Sequence, residues 1–332
     1  MKAEHKDTKS VVIGYDRRFL SKEAVIWACQ ILGKEGIHVQ FVNRSAPTPL
    51  LMFYVMKHEL DYGMMVTASH NPAIYNGIKV FTYGGRDADE IQTKDIEKWL
   101  LEAEKLYTPC HEEDGQMPPP GYTELVKQGI VEEINPMNEY LDNILSVINV
   151  DAIRKRDLRV AVDPMYGVSL TALSTILAVA RCTVETINAQ HDTLLEARLR
   201  HCEDTLKNLQ NYVLDRYCDI GIATDGDADR LGVIDDKGHY LHANQILVML
   251  YYYLLKYKGW RGDAVRNLAT THMLDKVAES FGQKCYEVPV GFKYISAKMQ
   301  ETDAIIGGES SGGLTVKVIS MEKTVSMQQA FW

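Results

Sequence analysis

Met64-Met65-Val66-Thr67-Ala68-Ser69-His70-Asn71-Pro72 decides how the first part of the chain folds. The apolar run Met64-Met65-Val66 predicts a short buried strand. Ser69 then falls where a strand gives way to a loop, a usual place for chemistry in α/β folds. Asn71-Pro72 marks a turn, because Pro72 biases Asn71 away from helical backbone. Asn76-Gly77 marks a second turn, and Ile78-Lys79-Val80-Phe81 returns as a strand. The return is expected to bring the Lys79 amine near Ser69. A serine beside a histidine and a lysine can serve as a nucleophile. A serine in a proline-bounded loop also serves simply to form a turn.

The 332 residues leave room for roughly two or three domains. An apolar content of 46% supports real cores. The formal charge is −9 with no long basic run, which argues against nucleic acid or an anionic membrane as a partner. An anionic small substrate stays compatible, since local charge in a cleft outweighs the total. No apolar stretch reaches transmembrane length, and the first seven residues lack a signal-peptide core. The cysteines (Cys29, Cys110, Cys182, Cys202, Cys218, Cys285) are scattered and form no CxxC pair, so a reducing cytoplasmic setting is expected.

Outward from Ser69, strands and helices alternate. A strand over Ser10 to Ile13 precedes a helix that Ser21 is expected to cap, with Ala24, Val25, Ala28, Ile31 and Leu32 on its inner side. Gly36 ends it, a strand follows to Val42, and a helix runs from Pro47-Thr48-Pro49 to about His58. After the Ser69 hairpin a helix spans about Asp89 to Lys105. Thr108 to Gly121, rich in proline and acid, reads as a connector. A helical stretch near Glu139 to Arg156 opens a second α/β unit, and a third begins near His242. The expected fold is α/β, three consecutive similar domains with mixed sheets between helices: 1–136, 137–241 and 242–332.

The second unit holds the sharpest chemical signal, Asp225-Gly226-Asp227-Ala228-Asp229-Arg230, between the apolar strands Ile220 to Ala223 and Leu231 to Ile234. Three alternating carboxylates in a tight turn repel one another unless a cation sits among them. All-oxygen ligation suits Mg²⁺. Arg230 adds a planar fork for phosphate. An EF-hand is rejected: its sixth and twelfth loop positions would need Gly and Glu, and here they are Arg230 and Asp236. In the third unit, Gly307-Gly308-Glu309-Ser310-Ser311-Gly312-Gly313 lets backbone approach a ligand while Glu309 and Ser311 offer groups for hydroxyls. Val290-Gly291-Phe292-Lys293 places a cation near a strand end.

The order of these motifs resembles the α-D-phosphohexomutase family, which includes phosphoglucomutase and phosphomannomutase. Gly14-Tyr15-Asp16 with Arg18, Pro47-Thr48-Pro49, Asn76-Gly77-Ile78-Lys79 and Val162-Asp163-Pro164 are similar to further family strings. The resemblance implies a phosphoserine at Ser69, on Mg²⁺ held by Asp225, Asp227 and Asp229. It implies transfer between C1 and C6 of a hexose phosphate through a hexose 1,6-bisphosphate. It places His70 and Lys79 beside the phosphoserine, with Lys79 as general base or charge partner. Arg230 and Arg18 would contact phosphate or substrate, Glu309 and Ser311 would hold sugar hydroxyls, and Lys293 would contact sugar or assist proton transfer. Two rival readings are a metal-dependent phosphatase or phosphotransferase using the same serine, and a degraded copy without catalysis.

The chain also departs from the family. It lacks the Gly-Thr-Ser-Gly-x-Arg segment before the first strand and the fourth domain, so the first and third domains are expected to be incomplete and activity impaired. Leu194 to His201 lacks the family's prolines. Residues 318–332 read VISMEKTVSMQQAFW, and one choice of codons read one base earlier spells GHINGKDGIYAASLL, so a frameshift is inferred there.

Overall fold

The structure is a computed structural model that describes residues 8–72, 74–106, 120–192, 203–319 and 324–328. The first unit runs β1 (Ser10–Tyr15), α1 (Ser21–Lys34), β2 (His38–Val42), α2 (Thr48–Lys57), β3 (Tyr62–Val66), β4 (Ile78–Thr82), β5 (Arg86–Asp87), α3 (Glu90–Leu106), α4 (Tyr122–Lys127) and β6 (Val131–Ile134). Its sheet has the order β5-β4-β3-β1-β2-β6. The pairs from β3 to β6 are parallel, and β4 and β5 are antiparallel additions. Val11, Val12 and Ile13 are fully buried, as a central strand covered on both faces requires. Val11 and Ile13 pack with Val25 of α1 and Leu125 of α4. Val12 faces the other way, with Leu51 and Val55 of α2.

Ser21 does not cap α1. It is the first helical residue, preceded by Leu20 in left-handed backbone, and its hydroxyl donates to Asp16 Oδ1 at 3.0 Å. Val25, Ala24, Ala28 and Leu32 do face the core, with Cys29 and Gly33 beside them, while Ile31 is 61% exposed. The short α4 and β6 carry too little periodicity to stand out in sequence, yet β6 supplies the sheet edge beside β2.

The second unit runs α5 (Met137–Val147), α6 (Val150–Arg154), β7 (Arg159–Asp163), α7 (Leu170–Val179), β8 (Thr183–Thr186), α8 (Lys207–Arg216), β9 (Ile220–Thr224), β10 (Leu231–Asp235) and β11 (Tyr240–Leu241). The sheet order is β11-β10-β9-β7-β8, with β9 and β10 an antiparallel hairpin. The third unit runs α9 (Ala243–Lys256), β12 (Ala264–Asn267), α10 (Met273–Ser280), β13 (Cys285–Val288), α11 (Phe292–Thr302), β14 (Ile306–Gly308), β15 (Leu314–Ile319) and β16 (Thr324–Gln328). Its sheet order is β13-β12-β14-β15-β16. The fold is therefore α/β, three layered units each built on one mixed sheet.

The units share cores rather than hanging from linkers. Leu50, Leu51 and Phe53 of α2 pack with Tyr140, Ile144, Ala172 and Ile176 of the second unit. Val160, Val162 and Ile222 pack with Leu247, Tyr251 and Ile306 of the third. Of the inferred frameshifted tail, 318, 319 and 324–328 lie in strands. Residues 320–323 and 329–332, the connector 107–119 and the segment 193–202 lie outside the described residues.

Candidate active site

Three loops leave the C-terminal ends of β3, β9 and β14 and carry Ser69, the three aspartates and Glu309. Ligands of α/β proteins gather at such ends. Pairing of Met65 with Lys79 and of Val66 with Ile78 sets the Lys79 side chain one step back from the Ser69 loop.

Ser69 is 8% exposed and takes left-handed backbone, φ +51°. Its hydroxyl donates to Asp225 Oδ2 at 2.7 Å, across the junction of the first two units. His70 Nδ1 lies 3.3 Å from Ser69 Oγ. Lys79 Nζ bridges Asp227 Oδ2 at 2.7 Å and Asp229 Oδ2 at 2.5 Å. Burial alone would lower the Lys79 pKa, but the two carboxylates raise it well above the ordinary lysine value. The two carboxylates thus favour the charged form of Lys79 in this arrangement.

The aspartate loop is braced from inside. Asp225 Oδ1 accepts from the backbone N–H of Asp229 and Arg230, both at 3.1 Å. Burial, with Asp229 and Asp227 beside it, pushes the Asp225 pKa well up. Burial works the same way on Asp227, yet Lys79 overrides it and holds that carboxyl below the usual range. Gly167, in the turn after β7, backs onto the loop: a Cβ there would meet Gly226 O at 2.6 Å and Asp225 O at 2.8 Å.

The donor set fits a hard divalent cation. One oxygen from each of Asp225, Asp227 and Asp229 lies within 4.8 Å of the others. Asp227 Oδ1 and Asp229 Oδ1 are buried without a hydrogen-bond partner. Burying carboxylate oxygens unpaired is costly, so a cation ligand set is the economical reading.

Thr48 was visible in sequence only as part of Pro47-Thr48-Pro49. It stands at the first turn of α2, its Oγ1 donating to Asp227 Oδ2 at 2.6 Å and its N–H to Asp227 O at 2.9 Å. Asp87 of β5 was also missed. Burial raises its pKa to about 6, with Lys79 opposing and Asp229, Asp227 and Glu309 adding to the rise. No local motif surrounds Asp87, so sequence offered no signal.

Glu309 is held within its own unit. Its Oε1 accepts from Asn267 Nδ2 at 2.9 Å and from the Gly291 N–H at 3.1 Å, and its Oε2 from Ser311 Oγ at 3.0 Å. Arg230 Nε lies 4.0 Å from Asp229 Oδ1. Lys293 Nζ sits over the Tyr294 ring at 5.1 Å, while Tyr294 donates to Glu90 of α3 at 2.6 Å. The structure therefore gathers Ser69, His70, Lys79 and the three aspartates tightly, with Arg230 beside them. It leaves Lys293 toward α3. Arg18 turns its guanidinium onto the Ser69 loop.

Such a site pairs a hydroxyl with clustered carboxylates and cations, the equipment of phosphoryl transfer. Models of the phosphoglucomutase/phosphomannomutase α/β/α domains I, II and III match residues 1–106, 138–238 and 242–324. The chain belongs to the phosphoglucomutase/phosphomannomutase family, among the α-D-phosphohexomutases. It is 30% identical over 318 residues to a phosphoglucomutase/phosphomannomutase of Thermococcus kodakarensis, an alignment covering 95% of this chain and 65% of that one. It is 28% identical over 317 residues to the phosphoglucosamine mutase of Acetivibrio thermocellus, covering 93% and 66%. A family protein from Burkholderia thailandensis has the same fold, with TM-score 0.79 at 21% identity over 95% of this chain and 66% of that one. The chain thus spans about two thirds of the length of the curated relatives it matches. No helix among the described residues is long and apolar enough to cross a membrane.

Proposed function

We propose that the chain carries the phosphoryl-transfer half of a phosphohexomutase, with Ser69 as the group that takes and returns the phosphoryl. The observation that carries this reading is the 2.7 Å hydrogen bond from Ser69 Oγ to Asp225, beside two buried carboxylate oxygens without a hydrogen-bond partner. Asp225, Asp227 and Asp229 would hold Mg²⁺, which when bound offsets charge on the transferring phosphoryl oxygens. The chain's own residues supply the positioning. Phosphorylated Ser69 presents its phosphorus to a hydroxyl of a hexose monophosphate. The bond from phosphorus to Ser69 Oγ breaks as the bond to the sugar oxygen forms. His70, whose Nδ1 lies 3.3 Å from Ser69 Oγ, would take the hydroxyl proton and return it to Ser69. Lys79 and Arg230 contribute positive charge. Glu309 and Ser311 offer acceptors to sugar hydroxyls, and a hexose 1,6-bisphosphate is the intermediate. Transfer between C1 and C6, and the choice among glucose, mannose and glucosamine phosphates, form the finer part of the proposal.

Intact mass and phosphopeptide mapping after incubation with glucose 1,6-bisphosphate and Mg²⁺ test it. One phosphoryl on Ser69, absent in Ser69→Ala, is the expected result. An unmodified Ser69 would sink the reading. Release of free phosphate without sugar isomerisation would favour the phosphatase instead.

A further inference from the structure

Arg18 was read from sequence as a substrate contact, but the structure commits its guanidinium elsewhere. Nη2 donates to Ser69 O at 2.6 Å and Asn71 O at 2.7 Å. Nη1 donates to Pro72 O at 3.0 Å and Tyr75 O at 3.1 Å. All four terminal N–H groups of the fork thus end on backbone oxygens of the loop that carries Ser69. Nε lies 3.2 Å from Asp16 Oδ2, and the side chain is 4% exposed.

Asp16 extends the arrangement. Its Oδ2 accepts from Thr67 Oγ1 at 2.7 Å, and Thr67 Oγ1 in turn accepts from the Ser69 N–H at 2.9 Å. Its Oδ1 accepts from the Arg18 N–H at 2.9 Å and from Ser21 Oγ at 3.0 Å. Asn76 Nδ2 donates to Ser21 Oγ at 2.9 Å from the far side of the loop. Both backbone polar groups of Ser69 are therefore held, the carbonyl by Arg18 from the loop between β1 and α1, and the amide by Thr67 just after β3. Ser69 is in left-handed backbone, φ +51°, which L residues other than glycine seldom adopt unless their surroundings enforce it. Rotating the Ser69 backbone back to an ordinary region would swing Oγ away from Asp225 Oδ2.

We infer that Arg18, together with Asp16 and Thr67, is a positioning device that locks the Ser69 loop in its reactive shape and does not itself bind substrate. The burial of the guanidinium explains why arginine is needed: a lysine carries one donor head and cannot reach four carbonyls in a planar fork. The reading rests on Ser69 being the phosphoryl acceptor, and the experiment keeps the two apart.

The rate of Ser69 phosphorylation by glucose 1,6-bisphosphate with Mg²⁺ is followed by intact mass in wild type, Arg18→Lys and Thr67→Ala. Misplacing a reacting group by about 1 Å costs on the order of 100-fold. Both variants should lose rate on that scale at saturating bisphosphate, with the half-saturating concentration changed by less than about 3-fold, as expected when only the transition state is affected. Added guanidinium at low millimolar concentration should restore part of the rate in Arg18→Ala. A raised half-saturating concentration with an unchanged saturating rate would overturn the inference and return Arg18 to the substrate. Thr67→Ala, which empties no charged site, guards against misfolding of the Arg18 variants. No uptake in wild type would sink the function proposal alone. Amide hydrogen exchange at residues 69–77 then decides the positioning claim: faster exchange confined to that loop in Arg18→Lys supports it, and unchanged exchange overturns it.

Discussion

The junction of the first two units and the Glu309 loop of the third solve the same problem in opposite ways. At the junction, Ser69, Thr48 and Lys79 of one unit are bonded to Asp225, Asp227 and Asp229 of the next. In the third unit, Glu309 is satisfied by Asn267, Gly291 and Ser311 of that same unit. The third unit meets the first through contacts outside the three loops, among them Tyr294 to Glu90 and Arg86 to Gln300. A site braced across a domain boundary stays assembled only while the boundary holds. A site braced within one domain can move as a body. The proposed phosphoryl-transfer machinery is thus braced across two units, while the Glu309 loop, proposed to hold sugar, is braced within one.

Four measurements press on this contrast. Asp163, behind the aspartate loop, should give the largest swing. Burial raises its pKa to about 6, against the hydrogen bonds from the Met165 N–H and Asn188. Its folded pKa lies above the unfolded one, so its contribution to stability is full in acid and is lost as pH rises through 6. Asp163→Asn escapes that loss and should gain on wild type by about 3 kcal/mol between about pH 3 and pH 8, read by denaturant unfolding. A constant difference across pH would show that the second unit does not strain to hold this carboxylate.

Metal should stabilise the junction specifically. Mg²⁺ at about 100 times its dissociation constant should add about 2.7 kcal/mol in wild type, removed by EDTA, and much less in Asp227→Asn. Equal responses would place the metal elsewhere. Thr48→Val removes one hydrogen bond to a charged acceptor at the same carboxylate and should cost about 2 kcal/mol of stability. It should also weaken Mg²⁺ about tenfold, measured by titration calorimetry. Glu309→Gln is expected to act least: a tenfold weaker hold on sugar phosphate, about 1.4 kcal/mol, with the Mg²⁺ response intact. If it abolished the metal response, the third unit would be part of the fixed machinery and the contrast would fail.

The fold and its chemistry were unevenly legible. Apolar runs such as Val11 to Ile13 and the turns around Ser69 and Asp225 announce themselves locally, so the three units and their loops follow from periodicity and turn chemistry. The helix α4 and strand β6 did not, because a four-residue strand at a sheet edge has only β2 to define it. Lys79 was expected near Ser69, and its salt bridges to Asp227 and Asp229 needed the second unit in place. Thr48 acts across domains by bonding Asp227, and nothing within a few residues of it says so. Arg18 shows the converse: the residue type was recognised, but its four carbonyl partners come from a loop some fifty residues away.

Gly167 has a reach out of proportion to its size. It lies on the rear wall of the aspartate loop, where a single methyl group would have to displace the carbonyls of Gly226 and Asp225. The front of that wall is where the carboxylates converge. A substitution there would touch no ligand, no charge and no sugar, yet it would shift the spacing of all three aspartates together. The turn after β7 thus sets, from behind, the backbone that carries the candidate cation-binding carboxylates.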